Sequence, residues 1–135
     1  QWGKAAKFHE GKGRFVYHVI KIEDTPQSRI LDHLDEAADF IHGALAQNHR
    51  VLVHCNQGRS RSATVLTAYF IKYKGTQKQV DEHIRGIKER RPEVCPNAGF
   101  VRQLEKYRAR CIVTVEVSSQ LHKSRAGKHT SGLRS

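Results

Sequence analysis

A cysteine and an arginine that could together bind a phosphate group stand six positions apart within residues 51–62. The aliphatic run Val51–Val53 leads into His54 and Cys55, and a polar loop with Gly58 at its middle follows. Apolar residues then recur at the spacing of a helix. A buried strand, a tight loop and a helix N-terminus bind anions, because the loop N–H groups lack intrahelical partners and the helix dipole adds partial positive charge.

The same loop predicts an ionised, reactive cysteine. A thiol at a helix N-terminus is stabilised as the thiolate, which is the nucleophilic form of cysteine. Arg61 can return to the same space and bind two phosphate oxygens with its planar guanidinium. The nucleophile, the amide donors and the cation would then surround one phosphate, so the segment predicts phosphoryl transfer to the sulfur of Cys55.

Composition bounds the chain to one domain. It has 135 residues, of which 38% are hydrophobic and 27% charged, which is typical of a globular domain with a modest core. The net charge of +11 favours anionic partners. Residues 118–135 carry four Lys/Arg and no acid, but no aromatic residue is interleaved with them, so we expect a solvated basic surface and no obligate nucleic-acid partner.

The three cysteines, at positions 55, 95 and 111, form no CxxC pair, and their odd number argues against a disulfide framework. The histidines show no metal-ligand spacing, no stretch approaches the length of a membrane span, and the N-terminus does not resemble a signal peptide. We therefore expect no metal and no cofactor, and a reducing compartment, cytoplasmic or nuclear. Since no methionine occurs, we also expect a processed chain or a fragment.

Hydrophobic periodicity predicts two strands and four helices. Residues 16–22 are expected to form a strand covered on both faces, and residues 51–54 a second strand. A helix is predicted over 28–46 with Ser28 as its N-cap. A second follows the polar loop and ends near Gly75, and a third begins with a capping box at 76–79.

The last predicted helix has Asn97 as its cap and Phe100, Leu104 and Tyr107 facing inward. We expect residues 112–117 to form a strand or an extended exit. The resulting division of the chain is an irregular basic segment over 1–15, a catalytic domain over 16–117 and a disordered basic tail over 118–135.

At the level of motifs, the pattern His54-Cys55-x5-Arg61-Ser62 resembles the signature of the cysteine-dependent protein phosphatases. Three further features resemble the small, atypical dual-specificity phosphatases: Asp24 after a strand and before a helix, the segment 37–41, and the Arg-Pro…Pro-Asn-Ala-Gly-Phe segment at 91–100. The resemblance covers about residues 16–110.

This resemblance implies an α/β fold with a central, mostly parallel sheet flanked by helices. Family members carry an additional helix and strands before the loop that bears the acid, whereas only 23 residues precede Asp24 here. We therefore expect N-terminal elements of the sheet to be missing.

The resemblance also implies roles for individual residues. Cys55 would attack phosphorus, Arg61 would bind the equatorial oxygens, and Asp24 would act as general acid and then base, with Glu23 as the neighbouring alternative. The phosphate-binding loop would comprise Asn56, Gln57, Gly58, Arg59, Ser60 and Arg61.

Further residues would support this chemistry. Ser62 would hydrogen-bond the sulfur of Cys55, and it could equally serve as a helix N-cap. His54 would orient the loop and help keep Cys55 ionised. Asn97 would tether the loop, although a local role as a cap explains it as well. Cys95 and Cys111 are expected to be core or surface thiols.

The function that these features predict is hydrolysis of phosphotyrosine and phosphoserine/threonine in proteins, phosphorylated kinases among them. Because Gly58–Thr64 also resembles the loop of phosphatidylglycerophosphate phosphatases, a phospholipid substrate is the first alternative. The second is a truncated module that binds phosphorylated partners without turnover. The sequence leaves the oligomeric state open.

Overall fold

A computed structural model describes residues 15–127, which contain four helices joined by loops and irregular segments. The helices are α1 (Leu31–Ala46), α2 (Arg61–Lys74), α3 (Val80–Lys88) and α4 (Ala98–Gly127). Residues 1–14 and 128–135, on which parts of the predicted N-terminal segment and tail fall, lie outside the described residues. No helix in the described part of the chain is long and apolar enough to span a bilayer.

Helix α2 lies at the centre and contacts α1, α3 and α4. Its first residues are buried on every side, which is the position of a core helix rather than of an amphipathic surface helix. Two fully buried threonines on it satisfy their hydroxyls locally: Thr64 donates to the Ser60 carbonyl at 2.8 Å and Thr67 to that of Ala63 at 2.7 Å. The phosphate-binding loop is thereby attached to the most buried element.

The two predicted strands are not formed within residues 15–127, where the structure describes four helices and no strand. Residues 15–23 and 50–55 run as irregular segments. No backbone hydrogen bond joins them to each other among the described residues, and a strand requires such pairing with a neighbour. One apolar side chain of the first segment, that of Ile20, is nevertheless buried in the core. Coverage of both faces was wrong, since Tyr17 and Val19, which alternate with Ile20, are 37% and 41% exposed.

Helix α1 begins at Leu31, and the predicted cap at Ser28 is wrong. The first N–H of α1 instead donates to Gln103 Oε1 at 3.0 Å, and Gln103 Nε2 donates to the Ser28 carbonyl at 2.9 Å. A side chain of α4 therefore satisfies the N-terminus of α1. This contact joins residues 72 positions apart, so no local pattern could indicate it.

The ends of the other helices follow the sequence more closely. Helix α2 ends before Gly75, as predicted, where the backbone turns with φ of +154°. The cap of α3 is Gln79 rather than Thr76, and the Gln79 N–H donates to Glu82 at 2.6 Å. Asn97 caps α4 as predicted, because its Oδ1 accepts the N–H of Phe100 at 2.9 Å.

Helix α4 buries Phe100, Leu104 and Tyr107 as predicted but extends much further than expected. The strand or extended exit at 112–117 is wrong, and residues 118–127 of the predicted disordered tail are helical. The β-branched residues at 113–117 suggested a strand, but a helix satisfies its backbone internally and needs no neighbouring strand. Side chains at positions 113–126 are exposed.

The close approach of α4 to the loop before α1 depends on Gly99. A Cβ built at Gly99 would lie 2.0 Å from the carbonyl oxygen of Pro26, whereas one at Gly86, in α3, meets nothing within 4 Å.

We expect Gly99→Ala to lower the free energy of unfolding by about 1–3 kcal/mol through this overlap. The matched control Gly86→Ala should raise it by up to about 1 kcal/mol, because alanine has the higher helix propensity. Chemical denaturation measures both, and shifts of the same sign would contradict the prediction.

Candidate active site

The predicted phosphate-binding loop, residues 56–61, follows the irregular segment ending at Cys55 and runs into the N-terminus of α2 at Arg61. Gly58 stands at its middle with φ of +66°, a conformation that favours glycine. A Cβ there would lie 2.7 Å from the guanidinium of Arg91, so a side chain would also displace a neighbour. Both constraints explain the glycine at this position and allow the loop to turn its amides inward.

The sulfur of Cys55 is surrounded by hydrogen-bond donors. Ser62 Oγ lies 3.2 Å from Cys55 Sγ, close enough for its hydroxyl to donate to a thiolate. Burial raises the pKa of the Cys55 thiol, but hydrogen bonds stabilise the charged form more strongly, and the net pKa lies below the ordinary value. The donors are the Ser62 hydroxyl and the backbone N–H groups of Ser62, Gly58 and Arg59. The loop therefore favours the nucleophilic form of the cysteine.

Arg61, the first residue of α2, is buried although it carries a permanent charge. Its Nη1 donates to the carbonyl of Ile22 at 3.1 Å. Its Nε is a buried side-chain donor that has no hydrogen-bond partner among residues 15–127. Because an unpaired buried donor is costly, this nitrogen is available for an anion bound in the loop.

The segment 91–97 holds the loop from the side opposite α2. Arg91 Nε donates to the carbonyl of Gly58 at 3.2 Å, and the Cys95 N–H donates to that of Arg59 at 2.8 Å. The N–H of Asn97 donates to Ser60 Oγ at 3.0 Å. The loop carbonyls are thus bound outward, which leaves the loop N–H groups directed at the sulfur.

The acid predicted at Asp24 is connected to the loop through Asn97. Asn97 Nδ2 donates to Asp24 Oδ1 at 2.8 Å, while the Asn97 backbone binds Ser60. The same segment is joined to α2 by the bond from Arg61 to the Ile22 carbonyl. The structure therefore brings the loop bearing Asp24 and the phosphate-binding loop together, and Asn97 is the residue they share.

The remaining predicted residues differ in how far they are exposed. Ser60 and Ser62 are buried, and His54 is half-buried immediately before Cys55; its orienting role stays a prediction. Four other loop and acid residues are exposed, namely Glu23, Asn56, Gln57 and Arg59. Of the other thiols, Cys95 is exposed and Cys111 buried.

Sequence reasoning missed several of the contacts that hold this site. The contacts of Arg91 with Gly58, of Ile22 with Arg61 and of Asn97 with Asp24 join residues 33 to 73 positions apart. The only signal for them was the resemblance of the 91–100 segment to a family motif, which indicated its importance but not its partners.

Comparison with known proteins identifies the family. The model of the dual specificity phosphatase catalytic domain matches residues 4–110. Protein phosphatase Slingshot homolog 3 of Rattus norvegicus is 39% identical over 114 residues, which are 84% of this chain and 17% of that protein. Dual specificity protein phosphatase 1 of Arabidopsis thaliana is 44% identical over 92 residues, 67% of this chain and 45% of that protein. The chain therefore spans less than half the length of these relatives.

Solved structures agree with the sequence relatives. The human tyrosine phosphatase-like serine/threonine/tyrosine-interacting protein is 38% identical, with a TM-score of 0.67 over 70% of this chain and 62% of that one. A mouse putative dual specificity phosphatase complexed with zinc tungstate is 34% identical, with a TM-score of 0.66 over 70% of this chain and 58% of that one. Together with the thiolate-stabilising loop, these similarities establish that the chain belongs to the dual specificity phosphatase catalytic-domain family, of the cysteine-dependent tyrosine-phosphatase type.

Proposed function

We propose that this domain hydrolyses phosphotyrosine and phosphoserine/threonine in proteins through a phospho-cysteine intermediate. The observation that carries the proposal is the convergence of amide and hydroxyl donors on the sulfur of Cys55. Arg61, at the start of the helix that follows the loop, has a buried Nε without a partner among residues 15–127. Donors that stabilise a thiolate before the substrate binds are suited to stabilise the negative charge of a phosphoryl group afterwards.

In the first step, the Cys55 thiolate attacks phosphorus in line, so that the S–P bond forms as the bond from phosphorus to the leaving oxygen breaks. Arg61 and the loop amides bind the equatorial oxygens, whose charge is greatest in the transition state. Asp24 gives its proton to the leaving oxygen, which departs as a neutral alcohol or phenol.

In the second step, water attacks phosphorus and the S–P bond breaks. Asp24, now a carboxylate, accepts a proton from this water as general base, and inorganic phosphate forms. The departing sulfur becomes a thiolate again, and the hydroxyl of Ser62, 3.2 Å away, stabilises it as a leaving group. The cycle needs a reduced Cys55, which favours a reducing compartment such as the cytoplasm or nucleus.

Hydrolysis of an aryl phosphate and of a phosphotyrosine peptide tests the proposal. We expect the full chain to turn over both substrates and Cys55→Ser to lose at least about a thousandfold in kcat/KM, because a serine hydroxyl is not ionised there. The matched control Cys95→Ser, which removes an exposed thiol, should retain activity.

The pH profile of the same reaction tests the loop's effect on the sulfur. Because the donors lower the pKa of Cys55, kcat/KM should rise with pH at values below those at which an ordinary cysteine ionises. Ser62→Ala removes one donor to the thiolate, which raises the pKa, so the ascending limb should move to higher pH. Alkylation of Cys55 by iodoacetamide across the same pH range reads the thiolate directly. An unchanged limb in Ser62→Ala would contradict the assignment.

Asn97 is expected to position the general acid. Asn97→Ser keeps a residue that caps helices well but loses the amide that binds Asp24. Its kcat should fall about tenfold or more for phenyl phosphate, whose leaving oxygen needs a proton, and much less for a dinitrophenyl phosphate, whose leaving group needs none. Asp24→Asn should show the same dependence on the leaving group more strongly. Equal losses on both substrates would contradict the positioning role.

Two other functions have support in specific observations. The exposed cation Arg59 within the loop would suit a polyanionic lipid head group, and higher kcat/KM on phosphatidylglycerophosphate vesicles than on phosphopeptides would favour that substrate.

A related solved structure is named tyrosine phosphatase-like, which supports a binding module. If wild type and Cys55→Ser both bind phosphopeptide and neither hydrolyses it, the module is the correct function.

A further inference from the structure

A basic groove lies between α4 and the residues that precede α1, outside the phosphate-binding loop. It encloses about 470 Å³ and is lined on the α4 side by Arg102, Lys106 and Arg110. These residues stand four positions apart, so their side chains form one stripe along the helix. Arg29 and Pro26 line the opposite wall.

The groove carries a net positive charge, since four cations and one carboxylate line it. Asp32 is the single carboxylate among the groove's lining residues, and it is bound by Arg29 through two hydrogen bonds of 2.9 and 3.2 Å. Within residues 15–127, no carboxylate forms an ion pair with the three cations of the α4 stripe. Asp32 also attracts Arg110, but four cations share this one carboxylate, so the groove keeps a net positive charge that a bound polyanion would neutralise.

The groove begins beside the proposed active site. Pro26, at one end, is two residues from Asp24, and Gly99 packs directly against it. From there the stripe runs along α4 for eight residues, or about 12 Å. That length accommodates roughly four residues of an extended peptide. A segment lying in the groove would therefore be continuous with a phosphorylated residue near the acid loop.

We propose that this groove binds an acidic segment, rich in Asp and Glu, of the phosphoprotein substrate. The inference rests on the proposed function and names a feature of its substrate: acidic residues some distance from the phosphorylated side chain. A peptide fits the site better than nucleic acid does, because the lining contains no aromatic ring on which bases stack. It also fits better than a membrane, because a groove of charged residues offers no apolar face for insertion.

Two phosphotyrosine peptides that differ only in charge test the proposal. One carries a run of glutamates on each side of the phosphotyrosine after a short Gly-Ser spacer, and the other carries glutamines there. At low ionic strength we expect the full chain to have a KM roughly fivefold lower for the glutamate peptide. The double variant Arg102→Gln/Lys106→Gln should lose this preference while it hydrolyses p-nitrophenyl phosphate at the unchanged rate.

The matched control is Lys123→Gln/Arg125→Gln. It removes the same charge from exposed positions on the same helix but outside the groove, so it should keep the preference for glutamate. Equal preference in both double variants would overturn the proposal, since net charge alone would then explain binding. The proposal would also be overturned if the groove variant lost binding to phosphatidylserine vesicles but kept its preference between the two peptides.

The two proposals can fail separately. If p-nitrophenyl phosphate is hydrolysed but the glutamate peptide is not preferred, the groove proposal is wrong and the proposed function stands. If nothing is hydrolysed, fluorescence anisotropy of the labelled peptides with wild type and both double variants still measures the preference. The groove proposal predicts that wild type binds the glutamate peptide more tightly than the glutamine peptide, and that only the groove variant loses this difference. Equal binding of the two peptides by wild type would overturn it.

Discussion

The chemistry of this domain depends on the balance between burial and hydrogen bonding at one sulfur atom. Burial of the Cys55 side chain disfavours a negative charge, while one hydroxyl and three backbone N–H groups favour it, and the donors prevail. A hydrogen bond to a charged group contributes about 1.5–3 kcal/mol, so the loss of even one donor matters. The rest of the structure can be understood as what keeps these donors in place.

Three elements maintain that geometry. Helix α2 anchors one end of the loop in the core, and the guanidinium of Arg61, its first residue, donates to the Ile22 carbonyl. The segment 91–97 binds the loop carbonyls from the other side, so that the amides stay directed inward. Asn97 connects the loop to Asp24, because its N–H donates to Ser60 Oγ and its Nδ2 donates to Asp24. Its Oδ1 caps α4 by accepting the N–H of Phe100. Because one residue serves the helix, the loop and the acid, a change in the packing of α4 would reach the active site directly.

The sequence was informative wherever the cause of a feature is local. The end of α2 at Gly75 and the cap at Asn97 depend on residues within a few positions, so the sequence could indicate them. The convergence of Cys55 and Arg61 on one phosphate, inferred from their spacing, stays a prediction. The two predicted strands do not form within residues 15–127, because β-branched alternation indicates a segment that could pair, not whether a partner is present. The same ambiguity led to a predicted strand at 112–117, where α4 continues. The Gln103 contact with α1 and the Asn97 contact with Asp24 depend on tertiary packing alone.

Direct detection of the covalent intermediate tests the central claim most sharply. The full chain is mixed with a phosphotyrosine peptide, quenched within milliseconds, digested and analysed by mass spectrometry. The account predicts the mass of one added phosphoryl group on the peptide that contains Cys55, and none on those that contain Cys95 or Cys111. Release of inorganic phosphate without any phosphorylated Cys55, or with the phosphoryl group on another residue, would contradict it.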